Sequence, residues 1–182
     1  MIVGLIGKVI KKEPSKLHIN VSGVVYEVFI SLNTYQKISN DEQFLHICHI
    51  IREDAQQLFG FFEEDEKKLF ENLIKINGVG GKVAIAICST LSPSQFASAI
   101  ATNDAGTLKK VPGVGPKMAA RILIECGQFK VGDIVVGAAS EAAQALETLG
   151  FKPEEIARAL SGIESNDTAT IVREALKKLQ RF

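Results

Sequence analysis

Neither sign of charge predominates in the 182 residues: 21 Lys and Arg are balanced by 21 Asp and Glu. A protein that coats nucleic acid indiscriminately is strongly basic overall, so any nucleic-acid site on this chain has to be a local patch. Long apolar runs are missing too, and none approaches the roughly 18 residues that suggest a membrane span. The stretch MIVGLIGKVIKKEP carries its charges after its apolar residues, the reverse of a secretory signal. Cysteine is sparse. Cys48, Cys88 and Cys126 are odd in number and far apart, which fits a reducing cytoplasm and neither a disulfide framework nor a CxxC metal pair. His46, Cys48 and His49 look like ligands at first sight, but in a strand His49 points away from the other two. No second ligand pair accompanies them, so neither a metal nor any other cofactor is expected. There is no GxxxxGK(S/T) sequence, so the chain is not expected to hydrolyse ATP itself, and no catalytic residue is assigned.

What is present is an ordinary globular composition, 46% hydrophobic and 23% charged, patterned differently along the chain. Residues 2–10, 16–21, 24–30, 44–52 and 57–61 are short segments rich in Val, Ile and Phe. Glu13-Pro14-Ser15, Ser22-Gly23 and Asn40-Asp41 punctuate them as turns. Five strands in about 60 residues suggest a small barrel, and an OB-type barrel is the economical closed solution because it hides most sheet edges. At Glu63 the period changes. Glu63-Glu64-Asp65-Glu66 suits a helix N-terminus, and Leu69, Phe70, Leu73, Ile74 and Ile76 follow at helical spacing. Ser92-Pro93-Ser94-Gln95 reads as a second start, with Ser as cap, Pro at the first helical position and Gln closing a capping box. Residues 129–140 are small and sparsely charged and read as a linker, with a short strand at Ile134-Val135-Val136 as the alternative. Residues 141–182 read as three short helices, one ending at Gly150, one opening at Pro153 and one capped by Asp167 or Thr168. The expected organisation is therefore α+β and multidomain: an OB barrel over 1–62, a helical domain over 63–128, a linker over 129–140 and a three-helix bundle over 141–182.

The most informative feature is a repeat. Ile76-Asn77-Gly78-Val79-Gly80-Gly81-Lys82-Val83-Ala84 recurs 35 residues later as Val111-Pro112-Gly113-Val114-Gly115-Pro116-Lys117-Met118-Ala119. Each copy is a helix, a Gly-hydrophobic-Gly turn, a Lys and a second helix, which is the helix-hairpin-helix pattern. The glycines permit backbone conformations closed to other residues and let a phosphate approach the main chain. The following helix presents unpaired N–H groups and a positive dipole end. Val79 and Val114 plug the turn, while Lys82 and Lys117 add charge-assisted contacts. Arg121, four residues after Lys117, lies on the same helix face. Such a site grips phosphate and reads no bases. Charge follows the same plan: from 72 to 127 six basic residues stand against Asp104 and Glu125, a local net of +4. Two rival readings share these hairpins, a generic DNA-binding accessory module of a repair nuclease and a DNA glycosylase. A glycosylase needs a catalytic Asp beyond the second hairpin. Asp133 lies 16 residues after Lys117, but in the setting Val131-Gly132-Asp133, without that family's Val-Asp-Thr-His context.

Several further stretches bear on the family. They are Gly23-Val24-Val25-Tyr26-Glu27-Val28, Arg52-Glu53-Asp54-Ala55 with Leu58-Phe59-Gly60-Phe61, Leu73-Ile74-Lys75, the second hairpin through Ala120-Arg121, Leu149-Gly150-Phe151-Lys152-Pro153, and Arg173-Glu174-Ala175-Leu176. With these in order and at these spacings, the chain resembles the RuvA family of bacterial Holliday-junction-binding proteins over essentially its full length. Gly81 departs from the family's usual Pro, Pro116 from a frequent second Lys, and Val25 from a common Gly. The resemblance implies an OB barrel, a double helix-hairpin-helix domain and a mobile C-terminal helical domain of UBA-like form. It implies a homotetramer, or an octamer of two tetramers face to face, holding a four-way junction open and square. The implied partners are the hexameric RuvB ATPase, which drives branch migration, and the RuvC junction resolvase. The implied setting is cytoplasmic DNA recombination and repair, including the SOS response.

Two groups of residues keep two readings at this level. Glu53 and Asp54 stand between two strands, where they are either a solvated turn or, as the resemblance implies, an acidic pin that repels DNA strands at the crossover. Leu146, Leu149, Phe151 and Leu176 match family positions for the RuvB contact, yet the same apolar spacing also suits the core of a small bundle.

Overall fold

The strand-forming third of the chain closes on itself. The structure is a computed structural model that describes residues 1–39, 41–127, 138–160, 163 and 168–179. Five strands, β1 (Gly4–Glu13), β2 (Lys16–Val21), β3 (Val24–Ile30), β4 (Glu42–Ile51) and β5 (Gln56–Phe61), form a closed barrel in the order β1-β2-β3-β5-β4. All pairings are antiparallel except β3 with β5, which run parallel and meet at Phe29–Phe59 and Ile30–Gly60. Alternation puts Leu5, Val9, Leu17, Ile19, Val28, Ile30, Leu45 and Ile47 inside as one apolar core. β1 belongs to both halves of the barrel: Lys8 is opposite Asn20 on one side and Glu42 on the other. At Gly7 a Cβ would stand 2.2 Å from the Asn20 carbonyl oxygen, so only glycine lets β1 cross β2 this closely.

Helices follow in chain order: α1 (Leu32–Lys37), α2 (Glu64–Leu73), α3 (Gly81–Thr90), α4 (Pro93–Ala101), α5 (Ala105–Lys109), α6 (Pro116–Gly127), α7 (Ala138–Thr148), α8 (Pro153–Leu160) and α9 (Thr168–Leu179). The short α1, between β3 and β4, is absent from the sequence reading. Its one local signal is Ser31, whose side chain accepts a hydrogen bond from the Thr34 N–H. Pro93 opens its helix as expected. The segment read as a linker lies mostly outside the described residues, as do Asp133, Ile134-Val135-Val136 and Asp167. Its last three positions, Ala138 to Ser140, are instead the first turn of α7.

The chain divides into two compact units, Met1–Ser92 with Val111–Gly113, and Pro93–Lys110 with Val114–Phe182. By contacts within the chain, the first hairpin and residues 111–113 fall in the unit that holds the barrel. Two features account for this. Phe59 and Phe61 of β5 stack on Phe70 of α2, with ring centroids 4.7 and 5.1 Å apart. Beside them Glu66 is buried. It accepts hydrogen bonds from Ser31 Oγ and, at 2.7 Å, from Thr34 Oγ1, which itself accepts from the Phe62 N–H at 3.1 Å. α1 also meets α3, where Asn33 Nδ2 donates to the Cys88 carbonyl at 2.6 Å.

In the other unit, α7, α8 and α9 surround a small core of Ala143, Leu146, Ile156, Ala159 and Ala175. α7 ends on Gly150 at φ +91. There the Phe151 N–H reaches the Leu146 carbonyl and the Gly150 N–H the Glu147 carbonyl, the double bond of a Schellman stop. α8 starts on Pro153, and the Glu155 carboxylate accepts from the Lys152 N–H at 3.0 Å, the return bond of a capping box.

Burial pushes the Glu66 carboxyl above its ordinary range, against the two hydroxyl donors that favour its charge. Glu66→Ala strands two buried hydroxyl donors and should lower stability by about 2–4 kcal/mol, read from denaturant unfolding. The sign with pH follows from the raised value. The folded state holds the proton more tightly, so the site contributes most below the ordinary value of 4.5 and loses that contribution as pH rises through the folded value. The melting-temperature difference between the native chain and Glu66→Gln should therefore shift against the native chain from about pH 4 to pH 7.

Candidate nucleic-acid interface

The 35-residue repeat is a repeat of backbone and burial as well as of letters. Gly78 and Gly113 adopt φ +88 and +87. An L side chain in that conformation costs roughly 1–2 kcal/mol, which restricts the turn to glycine. Ile76 and Val111 are buried, and so are Val79 and Val114 between the glycines, while Gly78 and Gly113 are exposed. The Ala84 N–H bonds the Gly80 carbonyl and the Ala119 N–H the Gly115 carbonyl, each at 2.9 Å, closing the first turn of α3 and of α6 alike. Matched burial extends outward to Leu73 with Leu108 and Ile87 with Ile122, all fully buried. Each hairpin thus presents a glycine turn at the surface and, directly after it, a helix start whose first N–H groups have no partner within the helix.

Lys82 and Lys117 are exposed at the second position of α3 and of α6, and Arg121 is exposed one turn further along α6. The hairpins differ at one point. Gly81 is buried and supplies an N–H, whereas Pro116 is exposed and supplies none. The burial at Gly81 has a cause in the barrel: a Cβ there would lie 2.5 Å from Cζ of Phe59. This seat for the first hairpin is invisible to motif reading. The only signal for it is the glycine standing where the family usually has proline.

Glu53 and Asp54 lie where expected. β4 and β5 pair down to Ile51–Gln56, and the Arg52 N–H bonds the Ala55 carbonyl at 2.8 Å, so the two carboxylates form the tip of a hairpin. Both are exposed, and neither forms an ion pair among the described residues. β5 leads from this tip straight to Phe59. Phe59, whose ring seats the first hairpin, is five residues after Asp54, a span of at most about 17 Å of extended chain.

The ligand-like trio on β4 is occupied otherwise. His46 packs edge-on against Phe44 at 4.7 Å, His49 Nδ1 accepts from the Ile2 N–H at 3.3 Å, and burial raises the Cys48 thiol to about 11. Among the described residues no group of three or more His, Cys, Asp or Glu could hold a metal ion. Nor is any single helix among them long and apolar enough to cross a membrane. Of the four C-terminal residues singled out, Leu146 is fully buried in the bundle core, Phe151 and Leu176 are half-buried against that core, and Leu149 is 61% exposed.

Comparison with known proteins gives matches along the chain. Residues 1–60 match the family description "RuvA N terminal domain", 70–128 "SAM-like Helix-hairpin-helix tandem", and 137–180 "RuvA, C-terminal domain". A protein of Sulfurimonas denitrificans named "Holliday junction branch migration complex subunit RuvA" is 53% identical, the alignment covering 99% of both chains. Proteins of the same name from Nitratiruptor sp. and Wolinella succinogenes are 54% and 49% identical, over 100% and 99% of this chain and 100% and 98% of theirs.

The Phe59 seat gives a direct test. Gly81→Ala should cost about 1–3 kcal/mol by forcing Phe59 out of place. Phe59→Leu makes room and should recover part of that loss in a double-mutant cycle of unfolding free energies. Independent, additive losses would show that the ring does not seat the hairpin.

Proposed function

The chain belongs to the RuvA family, and from that membership we propose that it binds four-way DNA junctions by shape, without reading sequence, as the non-catalytic DNA-binding subunit of a branch-migration complex. The observation that carries the reading is the pair of glycine turns with one geometry, φ +88 and +87, each followed by an exposed Lys at a helix start. Gly78, Gly80 and Lys82, with Gly113, Gly115, Lys117 and Arg121, hold sugar–phosphate backbone; Val79 and Val114 keep the turns in shape from beneath. Contacts to phosphate fix register and carry no base information, as a protein that must act at any sequence requires.

Shape selection needs a repulsive element as well as an attractive one, and the tip at Glu53 and Asp54 supplies it. A carboxylate about 8 Å from a phosphate repels it by about 2 kcal/mol at an effective dielectric near 20, less what salt screens. Around a fourfold axis the tips of four copies would hold DNA strands apart at the crossover, whereas a continuous duplex laid across the same centre meets only repulsion. We read the working form as a homotetramer, alone or paired face to face as an octamer. Ile6 and Phe44, opposite each other on β1 and β4, expose 61% and 48% of their surface on the outside of the barrel and suit contact with a second copy. The C-terminal bundle is the docking module for a RuvB-type hexameric ATPase. Leu149, Phe151 and Leu176 supply its apolar face, and Leu146 holds that face from the core. A RuvC-type resolvase acting on the same junction, and a cytoplasmic setting in recombination, repair and the SOS response, complete the reading.

Gel shifts with four-way, three-way and duplex DNA of several sequences test it. Four-way DNA should bind tightest, and equally at every sequence. Lys82→Ala with Lys117→Ala should weaken binding on all sequences alike and flatten the slope of log K against log salt by about 0.9 for each lost phosphate contact. Glu53→Gln with Asp54→Gln should keep junction binding, raise duplex affinity and change the rate of motor-driven migration. Duplex affinity and migration rate both left as they were would remove the repulsive role of the tip.

A further inference from the structure

The two hairpins match in backbone and burial, yet they are unequal in charge. Over the stretch of matched burial, 73–87 and 108–122, the first copy carries two cations, Lys75 and Lys82. The second carries four, Lys109, Lys110, Lys117 and Arg121, and neither stretch holds an acidic residue. Lys75 and Lys110 occupy the same repeat position, three residues before the positive-φ glycine, and both are exposed. Their surroundings differ. Lys75 Nζ is drawn back along its own helix end to Asn72 Oδ1 at 3.1 Å. At the second hairpin, position 107 is Thr in place of that Asn; its hydroxyl donates to Asp104 Oδ2 at 2.6 Å, and Lys110 feels the Asp104 carboxylate through space without a hydrogen bond to it among the described residues. Position 109 adds a further exposed lysine where the first copy has the half-buried Ile74. The main chain is unequal in the opposite sense: the start of α3 keeps all its N–H groups, that of the buried Gly81 included, whereas Pro116 removes one from the start of α6.

We propose that Lys109 and Lys110 are additional phosphate-binding residues, so that the second hairpin supplies most of the electrostatic attraction while the first holds its strand mainly through main-chain N–H groups. The chain between Lys110 and Gly113 spans at most about 11 Å, which keeps a long lysine side chain within reach of the strand gripped by the turn. A charge-based hold is long-ranged, tolerant of direction and dependent on salt. A hold through N–H groups needs close approach and correct orientation. The second hairpin thus draws in the strand it meets, while the first sets the register of the strand it holds, a division suited to DNA that must slide while staying aligned. This assignment rests on the phosphate-clamp reading of the hairpins.

The experiment measures junction affinity against salt concentration for the full-length chain, with melting temperature recorded for each variant. Lys109→Gln with Lys110→Gln should flatten the log–log salt slope by about 1.8, two contacts at about 0.9 each, with melting unchanged. At the matched position, Lys110→Gln alone should lower the slope by about 0.9, whereas Lys75→Gln should leave it as it was. Lys109→Arg with Lys110→Arg should restore the native slope. A native slope in Lys109→Gln with Lys110→Gln overturns the proposal, as does an equal loss from Lys75→Gln and Lys110→Gln. A lowered melting temperature with an unaltered slope also overturns it, reducing the two lysines to stabilisers of the α5 C-terminus. The clamp reading fails separately, and is recognised by an unchanged slope in Lys82→Ala with Lys117→Ala.

Discussion

Phe59 leaves no room for a side chain at residue 81, and much of the molecule's arrangement follows from that contact. The ring belongs to β5, the strand that closes the barrel against both β3 and β4. Its other neighbours are Phe29 and Phe70, at 5.6 and 4.7 Å between ring centroids. Close-packed aromatic rings have few alternative positions, so a helix start laid directly on one inherits its rigidity. The first hairpin is therefore seated on the barrel rather than hinged from it. The strand that seats it begins immediately after the acidic tip at Glu53 and Asp54. The exposed carboxylates of the tip and the seat of the first glycine turn are thus carried by one strand, at a separation set by extended backbone.

The charge economy of the chain makes sense in this light. A net charge of zero would be a poor design for a protein that only had to adhere to DNA. It suits one that has to discriminate, because discrimination is a difference in affinity, set by repulsion of the wrong shape as much as by attraction for the right one. N–H groups at the starts of α3 and α6 add partial positive charge that a count of ionised residues leaves out. Glu66 shows the opposite use of a carboxylate, buried and held by two hydroxyls between α1 and α2, where it ties elements together and faces no DNA.

The C-terminal bundle is built on a different scale. Its core consists of small and medium side chains, with three alanines among the five buried residues of the cluster. So small a core buries little area, and its local stops carry correspondingly more of the definition: the Gly150 stop, the Pro153 start and the Glu155 return bond all act within a few residues of one another. Leu149, left exposed beside this well-defined corner, is positioned by local structure rather than by burial.

What could be read from the residues in order was whatever depends on neighbours in the chain. The strands of the barrel emerged to within three residues at their ends because alternation and turn chemistry are local. The glycine turns emerged because positive φ leaves almost no alternative to glycine. The tip at Glu53 and Asp54 followed from two flanking strands, and Pro93, Gly150 and Pro153 marked helix limits through backbone constraints of their own. Tertiary structure decided the rest. α1 rests on one short cap and forms where Asn33 meets α3. The grouping of the first hairpin with the barrel depends on Phe59 meeting Gly81, residues 22 apart in the chain. The buried place of Leu146 and the exposed place of Leu149 depend on which side of α7 the other helices cover. Periodicity says that a face is apolar; only packing says what covers it, because burial belongs to pairs of surfaces and a linear sequence describes them one at a time.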